Sequence, residues 1–229
     1  MKKQDVGEAD RLYVLYTLEA GKTMALGKGV RKSRAKLAGL LENFMLVDAM
    51  VARNQGQGKI TGSIVEKNFF HLRKNFEALA NAFGNVGMME KIISGEHSEP
   101  AVFGLLVDYL ETLDEAAQKE SKEKIAIVGL SFAFKLLAEL GYEIQVVRCV
   151  LCQEKIAREN NHFSAAAGGV VCGRCSSKIL NKETISENAI KTIKIFLKNS
   201  IQASRKLVIS GNDLDNLKNV LQKFVDYIS

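Results

Sequence analysis

The chain has 229 residues, 47% of them hydrophobic, with four cysteines, one proline and a formal net charge of +6. That apolar fraction is enough to build real cores and excludes a disordered chain. No run of about 18 uninterrupted apolar residues occurs, and no apolar stretch follows the basic start of MKKQDVGEADR, so neither a membrane span nor a secretory leader is expected.

The first part, to about residue 68, reads as β. ADRLYVLYT places Leu12, Val14 and Tyr16 on one side of an extended segment, EAGK supplies a turn, and Met24 and Leu26 alternate again in TMALGKG. After a basic loop, FMLVDAMVAR, the turn NQGQG and KITGSIVE form a second strand pair. FMLVDAMV is apolar at nearly every position and is expected to be buried on both sides. Short, glycine-punctuated strands in a segment of this length predict a small β-barrel.

From residue 70 the period becomes helical. Leu72, Phe76, Leu79, Ala80 and Phe83 share one spacing, and Val102, Leu105, Leu106, Tyr109 and Leu113 another after Pro100. KIAIVGLSFAFKLLAELG is apolar almost all round and predicts a central helix ending at Gly141. Thr184 and Glu187 are spaced as a capping box for a helix through Ile190, Ile193 and Leu197. Asn212 or Asp213 would cap another through Leu214, Leu217, Leu221, Phe224 and Ile228.

All four cysteines lie between these helical stretches, in RCVLCQEKIARENNHFSAAAGGVVCGRCS, as Cys149-x-x-Cys152 and Cys172-x-x-Cys175 with 19 residues between the pairs. A two-residue spacer lets a tight turn aim both sulfurs at one ion, and a second turn completes a tetrahedron. With the cytosolic setting expected for a leaderless chain, this spacing predicts a structural zinc ion held by Cys149, Cys152, Cys172 and Cys175. Gly173 inside the second knuckle and Gly168-Gly169 before it suit a returning hairpin. An iron–sulfur cluster is the other reading that four thiolates allow. Thioredoxin-like chemistry lacks its βαβ setting here, and four cysteinates leave no open position for a catalytic zinc. His162, between the pairs, reads as a solvent-facing loop residue.

Charge is unevenly distributed: 12 Lys/Arg against 7 Asp/Glu over residues 1–68, 11 against 14 over 69–175, and 9 against 5 over 176–229. Basic ends suit a polyanionic partner, although an unevenly charged solvated surface gives the same count. KGVRKSRAKLAG carries Lys28, Arg31, Lys32, Arg34 and Lys36 without an acidic residue, and joins two expected strands. Such cations bind phosphate by releasing counterions, without reading sequence. Arg11, Lys22 and Arg53 extend the patch if their strands share its side. Tyr13 and Phe44 are read as core aromatics rather than base-stacking ones. Lys191, Lys194 and Lys198 line one helix face, read as solvated.

DVGEADRLYVLYTLEAGK, KGVRK and the downstream KLAG resemble the opening of the bacterial recombination mediator family RecO. EPAVFGLLVDYLETLDE and FKLLAELGYE are similar to that family's helical core, and RCVLC with HFSAAAGGVVCGRC to its zinc element. The resemblance runs in order over residues 4 to 180, and the C-terminal helices match only in pattern. It implies an α+β chain: an OB-fold barrel at 1–68, a helical domain at 69–147, a zinc-binding element at 148–180, and C-terminal helices of the helical domain at 181–229. It also implies a cytoplasmic, nucleoid-associated DNA repair protein of the RecF pathway that is not an enzyme. Such a protein binds single- and double-stranded DNA, anneals complementary strands, and binds RecR and the acidic C-terminal tail of single-stranded-DNA-binding protein. Through RecR it helps to load RecA. Two departures stand out: the family has a further strand-forming segment before Lys2, so the first strand is expected to be truncated by a start codon assigned late, and the chain stops at FVDYIS, before a basic tail.

The alternative is a zinc-containing protein-interaction scaffold with incidental DNA contact. A metal-dependent hydrolase fits less well, because the three histidines, His71, His97 and His162, lie far apart in sequence.

Overall fold

The computed structural model describes residues 2–32, 37–53, 58–93 and 98–229. The chain divides into two compact units, Met1–Gln118 and Lys119–Ser229.

The first unit begins with β1 (Lys2–Val6), β2 (Asp10–Thr17) and β3 (Gly21–Gly27), then β4 (Leu46–Ala52) and β5 (Gly58–Lys67). They form one sheet in the order β1-β2-β3-β5-β4, antiparallel except for a short parallel join of Ala25 with Gly58 and Leu26 with Lys59. β2 turns into β3 through a hairpin in which Gly21 takes φ +62°, a conformation that glycine adopts without strain. One face buries Tyr13, Ala25 and Ile60, with Val30 and Leu41 from the loops and Leu15, Leu37, Val47 and Val51 around them. Tyr13, not Leu12 or Val14, therefore faces this core. The opposite parity is only half-buried, and there Tyr16 stacks on Phe103 with ring centroids 6.4 Å apart.

The sheet is not closed, which corrects the expected barrel. Closure would need β1 and β4 to pair, and among the described residues they stand at opposite edges. β1 spends all five residues pairing with β2, from Lys2↔Val14 to Val6↔Asp10, and buries none of its side chains. No apolar gain would offset the ordering that edge-to-edge closure requires. Nor is β4 buried on both sides. As an edge strand it alternates, leaving Asp48 and Met50 exposed. The expected turn NQGQG falls largely at residues 54–57, outside the described residues.

The helical period begins at residue 70 as expected, but it is interrupted at Asn75, and Phe76 and Phe83 of the expected face are exposed. α1 (Phe70–Lys74) and α2 (Phe76–Ile92) share Asn75, whose side chain caps α2 by accepting from the Ala78 N–H at 3.1 Å. α3 (Pro100–Lys119) carries Tyr109, fully buried, whose hydroxyl donates to Asn81 Oδ1 at 2.8 Å and accepts from Asn85 Nδ2 at 3.1 Å. These bonds satisfy a polar group that burial would otherwise penalise.

In the second unit α4 (Lys122–Glu139) buries residues on every side and packs on α5 (Glu187–Lys198), α6 (Ile201–Ser204) and α7 (Gly211–Ile228). It ends as anticipated, with Gly141 at φ +84°. The caps of α5 and α7 differ from the sequence reading. Ser186, not Thr184, accepts from the Ala189 N–H at 2.9 Å, because Thr184 is taken up by a strand. Ser210, not Asn212 or Asp213, accepts from the Asp213 N–H at 3.2 Å. Asp213 instead accepts from the Ser186 hydroxyl at 2.6 Å and the Ser210 hydroxyl at 2.7 Å, joining the starts of α5 and α7. No described helix is long and apolar enough to cross a membrane.

Candidate metal centre and cationic surface

The cysteine element is built from short backbone ladders. β6 (His162–Ser164) and β7 (Gly169–Val171) form a hairpin, and β8 (Glu183–Thr184) lies on the other side of β6. Gly168 closes the hairpin turn at φ +73°, and its N–H donates to Ala165 O at 3.0 Å. Gly169 is demanded by close approach, since a Cβ there would lie 2.4 Å from Gln145 O. That approach lets the Val170 N–H donate to Gln145 O at 2.8 Å and the Val150 N–H to Val170 O at 3.0 Å, so the first cysteine pair is laced to the strand leading to the second.

Each pair then sits on a tight turn. The Gln153 N–H donates to Cys149 O at 2.9 Å and the Cys149 N–H to Glu154 O at 2.9 Å. In the second knuckle the Cys175 N–H donates to Cys172 O at 3.0 Å. Val171 is buried with Cys149, Cys172 and Cys175, and Val150, Ile156 and Ile179 pack around them. Phe163, on β6, meets Phe224 of α7 edge-to-face at 6.0 Å, which roots the hairpin in the helices.

The four sulfurs lie within 4.8 Å of one another, and Cys152 Sγ and Cys172 Sγ are 3.8 Å apart. A tetrahedral thiolate centre with metal–sulfur bonds of about 2.3 Å has sulfur–sulfur edges of about 3.8 Å, so the residues fit such an ion. The two shifted thiols move in opposite directions. Burial works to raise the Cys149 thiol, but the backbone N–H groups of Cys172, Cys152 and Leu151 outweigh it and bring the group down to about 6. Burial, followed by its sulfur neighbours, pushes Cys175 up to about 12. A bound dication would favour the thiolate form of such a cluster. The cluster could hold a metal ion, and it is the group of His, Cys, Asp and Glu side chains suited to one among the described residues. His162 is not part of it.

The cationic residues expected at a DNA surface fall into two kinds among the described residues. The turn after β3 is pinned: the Gly29 N–H donates to Asp10 Oδ1 at 2.7 Å and the Arg31 N–H to Ala9 O at 3.0 Å, while Gly29 takes φ +66° and Val30 enters the core. With Val30 inward, Lys28, Arg31 and Lys32 are exposed. Lys28 and Lys32 make no ion pair among the described residues. Arg31 lies 3.4 Å from Asp5 and donates to Gly7 O. Arg34 and Lys36 lie outside the described residues.

The other three are engaged within the fold. Arg11 donates to Asp5 Oδ1 at 2.7 Å, and that bond holds the Asp5 carboxyl below its ordinary range. Lys22 Nζ donates to Glu90 O at 3.1 Å, and Arg53 to Thr23 Oγ1 at 2.8 Å. The structure thus brings Arg11 and Arg31 together around Asp5, while Lys22 and Arg53 serve other partners. Tyr13 is core, and Phe44 packs edge-on against Phe83 at 4.8 Å. Lys191 pairs with Glu187 at 2.8 Å, Lys194 is half-buried and Lys198 exposed.

Two family models cover nearly the whole chain, "Recombination protein O N terminal" over residues 1–69 and "Recombination protein O C terminal" over residues 73–228. The chain belongs to the RecO family. Among its curated relatives is the DNA repair protein RecO of Dehalococcoides mccartyi, 30% identical over 231 residues, an alignment that spans all of this chain and 87% of the relative. DNA repair protein RecO of Desulfatibacillum aliphaticivorans is 26% identical over 99% of this chain and 88% of its own length. That of Roseiflexus is 25% identical over 100% and 78%. Family membership supports a role in DNA repair and recombination.

Sequence reading passed over cations of this RecO-family sheet, Lys59 among them. Lys59 is exposed on β5, in register with Leu26 of β3 and Ala52 of β4, on the same side as Met24. Its strand alternation could have found it, but only once the strand order was known.

Proposed function

We propose that this chain is a non-catalytic recombination mediator of the RecF pathway, acting in the cytoplasm at the nucleoid. It binds single- and double-stranded DNA by phosphate contacts and anneals complementary strands. It also binds RecR and the acidic C-terminal tail of single-stranded-DNA-binding protein, and with RecR it helps to load RecA. Cys149, Cys152, Cys172 and Cys175 hold one structural zinc ion, which contributes folding free energy to residues 148–180 and takes part in no bond-making step.

The observation that carries this reading is the pinned turn after β3. Its backbone is fixed to Asp10 and Ala9 and its one apolar side chain is buried, so Lys28 and Lys32 project from a rigid base, with Arg31 exposed beside them while it pairs with Asp5. Cations presented in this way screen the repulsion between two phosphate backbones while leaving base edges free to pair. Arg34 and Lys36 continue the same run in sequence, and Lys59 adds a charge on the sheet.

Annealing of complementary oligonucleotides without ATP tests the proposal, with Arg31, Lys32, Arg34 and Lys36 changed to Glu as the comparison. The native chain accelerates pairing and the reversed one does not. Equal acceleration by both would move DNA binding elsewhere. Intact complex formation with RecR by a chain that never anneals would favour the interaction scaffold.

A further inference from the structure

The four sulfurs are not equivalent. Cys149 is fully buried and Cys172 and Cys175 are each 6% exposed, whereas Cys152 is open to solvent, next to the half-exposed Leu151. Cys152, the exposed residue of the four, also has a sulfur neighbour in the other knuckle: Cys172 Sγ stands 3.8 Å from its Sγ. Oxidation of thiolates follows access and a nearby resolving thiol. Here one ligand has the access and its neighbour across the centre supplies the second thiol.

We propose that the metal centre is a peroxide-sensitive switch, triggered at Cys152 and resolved by a disulfide from Cys152 to Cys172. The proposal rests on the reading of the four cysteines as a metal centre. In the first step the Cys152 thiolate sulfur attacks one oxygen of hydrogen peroxide. The O–O bond breaks, hydroxide leaves, and Cys152 becomes a sulfenic acid. In the second, the Cys172 thiolate attacks the Cys152 sulfur. The S–S bond forms, the S–O bond breaks and a second hydroxide departs. Two thiolates have given up two electrons, peroxide has taken them, and two protons from solvent turn the hydroxides into water.

The link has a structural consequence that a bond within one knuckle would not have. A Cys152–Cys172 disulfide joins the two turns that the metal had joined, so the hairpin of β6 and β7 stays tied to the first knuckle. Cys149 and Cys175 are left as two thiolates, too few to keep a tetrahedral ion, and the metal leaves. Thiol reductants reverse the bond by exchange, and metal can then return.

The test uses the full chain loaded with zinc, its metal content measured first. Hydrogen peroxide is added, zinc release is followed with a chromogenic chelator, and disulfides are mapped by peptide mass spectrometry after alkylation. Release is expected with the loss of two thiols per ion, a peptide pair joined through Cys152 and Cys172, alkylated Cys149 and Cys175, and recovery after dithiothreitol and zinc. Cys152→His keeps a fourth ligand but removes the accessible sulfur, and should slow release at least about tenfold. A link within either knuckle, or equal release from the Cys152→His chain, overturns the switch. A chain that holds no metal before peroxide overturns the metal centre itself, a failure distinguishable from the other two.

Discussion

The cysteine element and the cationic turn after β3 are both small devices held by a few backbone hydrogen bonds, yet they depend on the fold in opposite ways. In the element the functional atoms are the core: three of the four sulfurs are buried with Val171, and close approach at Gly169 fixes where the knuckles meet. In the turn the cations proposed to bind DNA are what the core leaves out, since Val30 goes in so that Lys28, Arg31 and Lys32 stay outside. Damage to the element should therefore appear as lost stability, and damage to the turn as lost binding with stability intact.

The largest effect should come from Cys149→Ser. Structural zinc supplies about 10–16 kcal/mol in isolated zinc peptides, so losing a fully buried ligand should empty the site. Metal analysis should find no ion and hydrogen exchange should accelerate across residues 145–180, whereas exchange unchanged in a metal-free chain would refute a structural role. Gly169→Ala comes next. Its Cβ meets the Gln145 backbone oxygen first, then Gln145 Cβ and Val150 Cγ1, and overpacking of this kind costs about 1–3 kcal/mol. Urea unfolding should show that loss, and a neutral outcome would mean that the segment around Gln145 can move.

A smaller effect depends on pH. Hydrogen bonds from Ser186, Ser210 and Asn188 hold the Asp213 carboxyl below its ordinary range, the Ser186 bond first. A carboxylate depressed in the folded state contributes stability at neutral pH, and that contribution is lost as pH falls through the folded-state value. Asp213→Asn should therefore be less stable than the native chain at neutral pH, with the gap closing in acid. A gap that widens in acid would reverse the assignment. The smallest effect on stability belongs to Lys28→Glu with Lys32→Glu, within about 0.5 kcal/mol of the native chain, as expected at exposed positions.

The two devices were also unequally legible. Cys149, Cys152, Cys172 and Cys175 announce their geometry through spacing alone, because a two-residue knuckle is a local structure. The cationic surface is not local. Arg11 and Lys22 read as extensions of the patch, and alternation does not encode their partners Asp5 and Glu90 O, which are set by strand register and helix placement. The open sheet was missed for the same reason, since whether β1 meets β4 depends on long-range pairing that alternation does not encode. Ser186 and Ser210 displaced the expected caps because β8 claims Thr184 and both serines lie one step before the first helical turn.

The proposed DNA binding depends on phosphate contacts from the turn after β3. The salt dependence of single-stranded DNA affinity measures them directly, by comparing the native chain with Lys28→Glu and Lys32→Glu combined. Each phosphate contact removed should flatten the slope of log affinity against log salt by about 0.7. A clearly shallower slope and weaker binding in the variant, at unchanged folding stability, are predicted; identical slopes and affinities in the two chains would contradict the assignment.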